Sequence, residues 1–220
     1  MWPGGNNVKK LVVWGASGHA MVVADIVRLR GEYDIVGFLD DVTEGRNGEE
    51  FFGLPVFSGR DSLAMLCGQG VRHAIVAFGN CPARLKVAEY LRAQGLELVT
   101  AVHPSAVVAR DVVIGEGTVV AAGAVINPGV HVGANVIINT SASVDHECTI
   151  EDGAHICPGV RLAGRVAVGE GAWIGIGSSI IDRVRIGAGS FIGAGSVVVG
   201  DIPDNALAYG VPAKIRKRIE

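Results

Sequence analysis

The chain has 220 residues and a formal net charge of −3 at pH 7. This small negative charge gives no support for nucleic-acid binding, and no apolar run approaches the roughly 18 residues of a membrane span. Hydrophobic residues make up 49% of the chain but aromatic residues only 5%, which favours an interior that has room for Val, Ile and Ala rather than for rings.

The N-terminus has no signal-peptide pattern, and Met1–Gly5 is expected to be a loose tail. Cys67, Cys81, Cys148 and Cys157 show no CxxC spacing, so they predict free thiols in a reducing compartment. We therefore expect a cytoplasmic protein.

Residues 1–100 predict a small parallel α/β domain of Rossmann-like type, because strands and helices alternate along the chain. The predicted strands cover 10–14, 34–39 and 73–78, and the predicted helices cover 20–30, 61–69 and 82–93. The insert 43–52, rich in Gly and Glu, is expected to be a surface linker rather than a mobile loop over a site.

Two short motifs lie at the carboxyl ends of the predicted strands, where such sheets bind ligands. Gly15-Ala16-Ser17-Gly18 opens a helix, whose free N–H groups attract phosphate. Asp40-Asp41 follows the second strand, about where a dinucleotide fold places its ribose-binding acid. The full GxGxxG is absent, so the first motif alone indicates either a nucleotide site or an ordinary strand–helix turn, and two acids after a strand are commonly just solvated.

The second part of the chain is a repeat of six residues. From Val102 to Val198 an aliphatic residue returns at every sixth position, and a small or β-branched residue such as Thr118 or Ser178 stands four positions later. This period matches neither an amphipathic helix nor an alternating strand, and it predicts a solenoid with one inward aliphatic per flat face. Residues 101–203 resemble the hexapeptide repeats of the left-handed parallel β-helix, with three faces per coil, and 204–220 are expected to form a C-terminal tail.

The segment Val144-Asp145-His146-Glu147-Cys148 is the most polar interruption of the repeat. A face of small residues has little structural need for imidazole, whose pKa near neutrality suits a general base. An adjacent carboxylate could orient the ring and raise its basicity. The alternative is a solvent-facing histidine at a corner of the solenoid.

Two other chemistries compete for this region. Three histidines, at 131, 146 and 155, are similar to the zinc ligands of the γ-class carbonic anhydrases, but the closely spaced pair that such a site needs is missing. Cys148 or Cys157 could carry an acyl group as a nucleophile. Both occupy hexads where a small residue is wanted, which favours buried thiols.

Six motifs follow one another along almost the whole chain. They are Gly15-Ala16-Ser17-Gly18-His19, Asp40-Asp41, Gly79-Asn80, His103-Pro104-Ser105-Ala106, Val144-Asp145-His146-Glu147-Cys148 and Gly210-Val211-Pro212-Ala213-Lys214. In this combination the chain resembles the bacterial sugar O-/N-acyltransferase family. The family includes sialic acid O-acetyltransferases and N-acetyltransferases that act on UDP- or GDP-linked 4-amino-4,6-dideoxy sugars, as in the bacillosamine and perosamine pathways.

The resemblance implies roles for particular residues. His146 matches the general base, and Glu147 matches the partner that increases its basicity. The positions that match the nucleotide-sugar site are Ser17, Gly18, His19, Asp40, Asp41 and Gly79. The positions that match the acetyl-CoA site are His155, Ile176 and Ala194, the last of which is Gly in some relatives and so contributes through its backbone. The resemblance also implies a homotrimer with active sites between subunits, and no metal.

We therefore expect an acetyl-CoA-dependent N-acetyltransferase that acts on the amino group of a nucleotide-linked 4-amino-4,6-dideoxy sugar, by direct attack on the thioester. The alternatives are an O-acetyltransferase of sialic acid or another sugar, and a non-catalytic trimer that binds nucleotide sugars. The run Asp145-His146-Glu147 weighs against the second alternative. Both ring nitrogens of His146 remain candidates for the basic atom.

Overall fold

The computed structural model describes residues 8–219, and the expected tail Met1–Gly5 lies outside them. Across this described part of the chain, no helix is long and apolar enough to cross a membrane. The structure begins with an α/β sheet and continues as a long stack of short parallel strands.

The α/β part is a six-stranded sheet with three helices. Its strands are β1 (Lys9–Trp14), β2 (Tyr33–Asp40), β3 (Glu50–Phe51), β4 (Leu54–Ser58), β5 (His73–Val76) and β6 (Glu97–Leu98), and its helices are α1 (Gly18–Arg30), α2 (Gly59–Gly68) and α3 (Cys81–Ala93). The strand order is β3-β4-β2-β1-β5-β6, and every neighbouring pair except β3–β4 is parallel. The predicted parallel α/β sheet is confirmed.

Both faces of the central strand β1 are covered. Leu11 and Val13 pack into the cluster that contains α1, whereas Val12 and Trp14 pack into the cluster that contains α2 and α3. Because neither face meets solvent, the strand is a continuous apolar run rather than an alternating one. The turn after Trp14 therefore lies at the carboxyl edge of a rigid sheet.

Seventeen two-residue strands follow, one for each hexad of the sequence. They are β7 (Ala101–Val102), β8 (Val107–Val108), β9 (Val113–Ile114), β10 (Val119–Val120), β11 (Val125–Ile126), β12 (His131–Val132), β13 (Ile137–Ile138), β14 (Ser143–Val144), β15 (Thr149–Ile150), β16 (His155–Ile156), β17 (Arg161–Leu162), β18 (Ala167–Val168), β19 (Trp173–Ile174), β20 (Ser179–Ile180), β21 (Arg185–Ile186), β22 (Phe191–Ile192) and β23 (Val197–Val198). The repeating aliphatic is the second residue of each strand, and those from Val120 to Val198 are buried. The predicted hexapeptide-repeat β-helix is confirmed.

The strands stack into three parallel sheets, which form the faces of the prism. The first face contains β7, β10, β13, β16, β19 and β22, the second contains β8, β11, β14, β17, β20 and β23, and the third contains β9, β12, β15, β18 and β21. The C-terminal segment extends the first face: β24 (Ala206–Gly210) pairs in parallel with β22, and β25 (Ala213–Arg218) pairs antiparallel with β24. The segment expected to be a tail therefore contains a paired β-hairpin.

The α/β part packs against the first face. Ala101, Val119 and Ala121 of the first coils share one hydrophobic cluster with α1. On α3, Arg84 is only 1% exposed and donates hydrogen bonds to the carbonyl oxygens of Asn135 and Gly153 at the coil corners. These contacts fix the carboxyl edge of the α/β sheet beside the middle of the first face.

Candidate functional site

A cavity of about 580 Å³ lies at the carboxyl edge of the α/β sheet. Ser17, Asp40 and Asp41, predicted from the sequence, all line this cavity, which we call the edge cavity. Gly18, His19 and Gly79 are not among its lining residues. Other lining residues include Trp14, Arg46, Arg60, Asn80 and Lys86.

The N-terminus of α1 supplies amide groups to the edge cavity. Gly15 has φ +123°, and a Cβ there would lie 2.8 Å from the carbonyl oxygen of Ala77, so only glycine fits this turn. Ser17 occupies the N-cap position, but its side chain makes no capping hydrogen bond, and the first turn contains no acidic residue. The first amides of α1 are therefore free to bind an anionic group.

Asp40 organises the loop beside this cavity. Its Oδ1 accepts hydrogen bonds from the amides of Val42 (3.0 Å) and Thr43 (3.1 Å), and its Oδ2 lies 3.0 Å from Arg46. Burial by itself would raise the pKa of Asp40, but these amide and guanidinium hydrogen bonds outweigh it and lower the pKa. Asp40 is thus an ionised group that shapes the wall.

The insert 43–52 lies at the surface, as expected, but two of its residues contribute to the edge cavity. Arg46 lines the edge cavity and donates to the carbonyl oxygen of Ala16 (2.8 Å), so the insert is tied to the α1 turn. Sequence reasoning missed Arg46 because a cation inside a segment rich in Gly and Glu gives no periodic signal. The last residues of the insert form β3.

A second cavity, of about 410 Å³, lies on the outside of the first face. His155, Ile176 and Ala194, the three positions that the resemblance assigns to acetyl-CoA, all line this cavity, which we call the face groove. Trp173 and Phe191 form its aromatic wall, with ring centroids 5.7 Å apart and planes 7° from parallel. The two rings lie one coil apart and point outward, in a chain with few aromatic residues. Their spacing of 18 residues was a signal in the sequence that could have identified this wall.

The loop after β5 connects the two cavities at Gly79 and Asn80, although none of the described residues lines both. The Trp173 ring meets the His155 ring edge-on with centroids 4.3 Å apart, and a Cβ on Gly79 would lie 3.2 Å from Trp173. Gly79 therefore acts by allowing the loop after β5 to approach the first face closely. The next residue, Asn80, lines the edge cavity and caps α3 by accepting from the amide of Ala83 (3.0 Å).

Burial keeps His155 and the neighbouring His19, whose ring centroids are 6.3 Å apart, uncharged. Desolvation, and secondly the nearby Arg84 charge, lower the pKa of His19 to about 4. The same two causes, in the same order, lower the pKa of His155 to about 3. Both imidazoles are therefore neutral near pH 7.

His146 lies at the corner between the second and third faces, between β14 and β15. Its Nδ1 is 3.0 Å from Oε2 of Glu147, and its side chain is 50% exposed. An ionised carboxylate can only accept hydrogen bonds, so Nδ1 carries the proton and Nε2 is left as the basic atom. Arg165 also contacts Oε2 of Glu147, at 2.8 Å, a contact that sequence reasoning missed.

The structure does not bring His146 to either cavity within one chain. Neither the edge cavity nor the face groove includes His146 or Glu147 in its lining. In a triangular prism, the corner between the second and third faces lies opposite the first face. The predicted base and the predicted ligand positions are therefore on opposite sides of the same subunit.

The structure also locates the residues considered for a zinc site and for a cysteine nucleophile. His131 is on the third face, His146 at a corner and His155 on the first face, so the three rings do not converge. Within residues 8–219, no three His, Cys, Asp or Glu side chains form a group able to hold a metal ion. Cys148 and Cys157 are buried, and burial raises the pKa of Cys157 to about 12, which makes it a poor nucleophile.

Fold and site together define a class: a β-helix of the hexapeptide-repeat transferases joined to an α/β domain with a cavity at the carboxyl edge of its sheet. Two family models match the chain, the PglD N-terminal domain over residues 10–91 and the bacterial transferase hexapeptide (six repeats) over residues 165–200. The UDP-N-acetylbacillosamine N-acetyltransferase of Bacillus subtilis is 36% identical over 112 residues, and this match covers 50% of each chain.

Solved structures match nearly the whole length. One is perosamine N-acetyltransferase from Caulobacter crescentus, solved as a histidine-to-asparagine mutant with CoA and GDP-perosamine. It is 41% identical to this chain with a TM-score of 0.91, and the match covers 96% of this chain and 98% of that one. The acetyltransferase domain of PglB from Neisseria gonorrhoeae, with acetyl coenzyme A, is 39% identical with a TM-score of 0.87 and coverage of 94% and 99%. The chain belongs to the bacterial sugar O-/N-acyltransferase family.

Proposed function

We propose that this protein transfers the acetyl group of acetyl-CoA to the amino group of a nucleotide-linked 4-amino-4,6-dideoxy sugar, with His146 as the general base. The observation that carries the proposal is the contact between His146 Nδ1 and Glu147 Oε2, because it leaves Nε2 unprotonated and exposed. Two of the relatives are a UDP-N-acetylbacillosamine N-acetyltransferase and a perosamine N-acetyltransferase solved with GDP-perosamine, which gives UDP and GDP as the nucleotides to test.

The edge cavity suits the nucleotide sugar. The free amides at the N-terminus of α1 and the side chains of Arg60 and Lys86 offer positive groups for a diphosphate. Asp41 accepts a hydrogen bond from Trp14 Nε1 (3.3 Å) on the same wall and can also accept from a ribose hydroxyl.

The face groove suits acetyl-CoA. The strand register places Trp173, Phe191, Leu207 and Lys217 in one row of the first face and its C-terminal extension. This row begins with rings that can pack against an acyl-pantetheine arm and ends on the basic strand β25. An amphiphilic thioester with phosphates at one end matches this order of apolar and charged groups.

The tautomer of His146, with its proton on Nδ1, determines which nitrogen takes part in proton transfer. As the sugar amine bonds to the acetyl carbon, Nε2 accepts its proton, and the resulting imidazolium is stabilised by the Glu147 carboxylate. When the carbon–sulfur bond breaks, the same nitrogen returns the proton to the departing CoA thiolate. Loss of a general base typically lowers the rate by on the order of 10²–10⁴.

We also propose that the active protein is a homotrimer with its active sites between subunits. His146 lies on the far side of the prism from the face groove, so one chain alone cannot bring the base to the ligands. A cyclic trimer can direct the His146 corner of one subunit toward the groove of the next. Because the co-substrate and the acceptor are metabolites of the cytoplasm, we place the reaction there.

The experiment that tests this function is a CoA-release assay with acetyl-CoA and a panel of acceptors. We expect release with a UDP- or GDP-linked 4-amino sugar and none with the 4-hydroxy counterpart. His146→Ala should lower kcat by about 10²–10⁴, while acetyl-CoA binding stays unchanged. His131→Ala, at an exposed histidine of the third face, is the matched control and should keep full activity.

Three results would overturn the proposal. Near wild-type turnover in His146→Ala would remove the assigned base. CoA release with sialic acid or other hydroxyl acceptors alone would move the protein to O-acetylation. Tight binding of the nucleotide sugar without any CoA release would instead support the non-catalytic alternative.

A further inference from the structure

One corner of the β-helix carries large charged residues in a left-handed backbone, whereas the non-glycine residues so placed at the other two corners are the smaller Asn135 and Ser141. The third residue after each inner aliphatic has a left-handed backbone, with φ between +53° and +73° from 117 to 195. Most of these residues are glycine, which adopts this region without steric cost. At the corner between the second and third faces, three successive coils instead carry Glu147 (φ +58°), Arg165 (φ +61°) and Arg183 (φ +61°).

Large charged side chains in this backbone region are unfavourable, and such residues cluster at functional sites. Glu147 is already explained, because it contacts the proposed base. The other two positions have no structural need for a side chain, since glycine fills the equivalent positions of neighbouring corners, such as Gly159 and Gly177. The presence of arginine at position 165, where equivalent positions have glycine, therefore calls for a functional explanation.

The guanidinium group of Arg165 contacts a single atom of Glu147. Its Nε (3.0 Å) and Nη2 (2.8 Å) both reach Oε2 of Glu147, the same oxygen that lies 3.0 Å from His146 Nδ1. Its backbone amide also donates to the carbonyl oxygen of His146 (2.9 Å). The neighbouring Asp145 is turned the other way, because its Oδ1 accepts from Asn127 (2.9 Å) and from the His146 amide (2.8 Å).

We propose that Arg165 is a positioning residue, which holds the carboxylate of Glu147 so that His146 keeps its proton on Nδ1 and presents Nε2 to the substrate amine. This inference rests on the proposed function of His146. Without Arg165, the exposed Glu147 side chain is free to rotate into solvent, and the His146 ring loses the acceptor that fixes its tautomer. The hydrogen bonds from Arg165, and secondly from His146, also lower the pKa of Glu147, so the carboxylate stays ionised.

The decisive variant is Arg165→Gly, because glycine relieves the left-handed backbone while it removes the side chain. Its thermal stability should therefore be equal to or higher than that of the wild type. We expect kcat to fall by on the order of tenfold, as is typical when the partner that orients a functional histidine is removed. The KM values for both substrates should not change.

Arg183→Gly is the matched control, since it changes the same backbone position one coil further along the same corner. It should keep the wild-type kcat. Arg165→Lys should restore part of the activity, because an ammonium group can still bind the carboxylate but lacks the planar fork of guanidinium. Arg165→Gly combined with Glu147→Gln should lower kcat no further than Glu147→Gln alone, because Arg165 acts through Glu147.

A second readout does not depend on turnover. The ¹⁵N shifts of His146, assigned by loss of its signals in His146→Ala, should show a proton on Nδ1 in the wild type and a mixture of tautomers in Arg165→Gly. An unchanged kcat and an unchanged tautomer in Arg165→Gly would overturn the inference, as would additive losses in the double variant. If the wild type shows no acetyl transfer to any acceptor, the proposed function fails, and the tautomer measurement still decides the role of Arg165.

Discussion

The ring of His146 lies over Gly164, which occupies the equivalent corner position one coil further along the chain. A Cβ on Gly164 would lie 2.6 Å from both Cε1 and Nε2 of the imidazole. The backbone of Gly164 is not left-handed, so glycine is needed there for space rather than for conformation. The position of the basic nitrogen therefore depends on the absence of a single methyl group.

Gly164→Ala should displace the His146 ring and lower kcat by on the order of 10², since small misplacements of a reacting group have effects of that size. Binding of acetyl-CoA and of the nucleotide sugar should not change. Gly200→Ala is the control, because Gly200 stands at the equivalent position two coils further on with nothing within 4 Å of its Cβ. Steady-state kinetics of both variants test this, and equal activity of the two would contradict the contact.

At the scale of residues, the sequence pointed to the proposed catalytic groups but not to the side chains that contact them. His146 and Glu147 are neighbours in the chain, so their contact could be predicted. Arg165 meets Glu147 only because one coil contains 18 residues, and a pairing at that spacing has no local pattern. The same limit applies to Arg46, which contacts Ala16 across 30 residues.

At the scale of elements, helix α3 is the link between the α/β sheet and the β-helix. Arg84 donates from Nη1 to the carbonyl oxygen of Gly79 (2.9 Å) and from Nη2 to that of Gly153 (2.6 Å), so one buried guanidinium joins the loop after β5 to a coil corner. On the same helix, Arg92 pairs with Glu116 of a coil (2.6 Å), but both side chains are largely exposed. The two arginines bridge the same elements in different surroundings.

Arg84→Ala should lower the free energy of unfolding by at least about 2 kcal/mol, because each buried carbonyl left without a donor costs about 1–3 kcal/mol. Arg92→Ala should cost less than about 1 kcal/mol, as exposed ion pairs do. Urea unfolding of both variants at one fixed protein concentration measures the difference. Equal losses would mean that burial adds nothing to this link.

The elements with a strong sequence period were predicted correctly, and those with a weak period were missed. The hexads predict every coil strand, because one aliphatic residue must fill the interior of each face, and no other spacing does so. Strands β3, β4 and β6 were missed, since two to five residues with a Pro or Gly nearby carry little periodic signal. The hairpin β24–β25 was expected to be a tail because the hexads end before it.

At the scale of the whole molecule, the proposed trimer is what would complete the site. Within one chain, the loop after β5 connects the edge cavity to the first face that carries the face groove, while His146 stands at the opposite corner of the prism. When a site is shared between subunits, its residues belong to motifs that do not contact each other within one chain. The sequence of a single chain therefore gives no sign that these motifs act together. The resemblance, rather than the spacing of the residues, supplied the expectation of a trimer.

A shared site predicts that two inactive variants restore each other. Ser17→Trp should fill the edge cavity, and its exposed position outside any capping bond leaves α1 intact. In this variant His146 is unchanged, whereas His146→Ala keeps its cavities. In a cyclic hybrid trimer of the two, one interface in three combines an open cavity with an intact base of the next subunit, about a third. Co-expressed and co-purified hybrids should therefore recover about a third of the wild-type kcat, while each variant alone stays inactive. Hybrids that stay inactive, although each variant forms trimers, would place cavity and base in the same chain and refute the shared site.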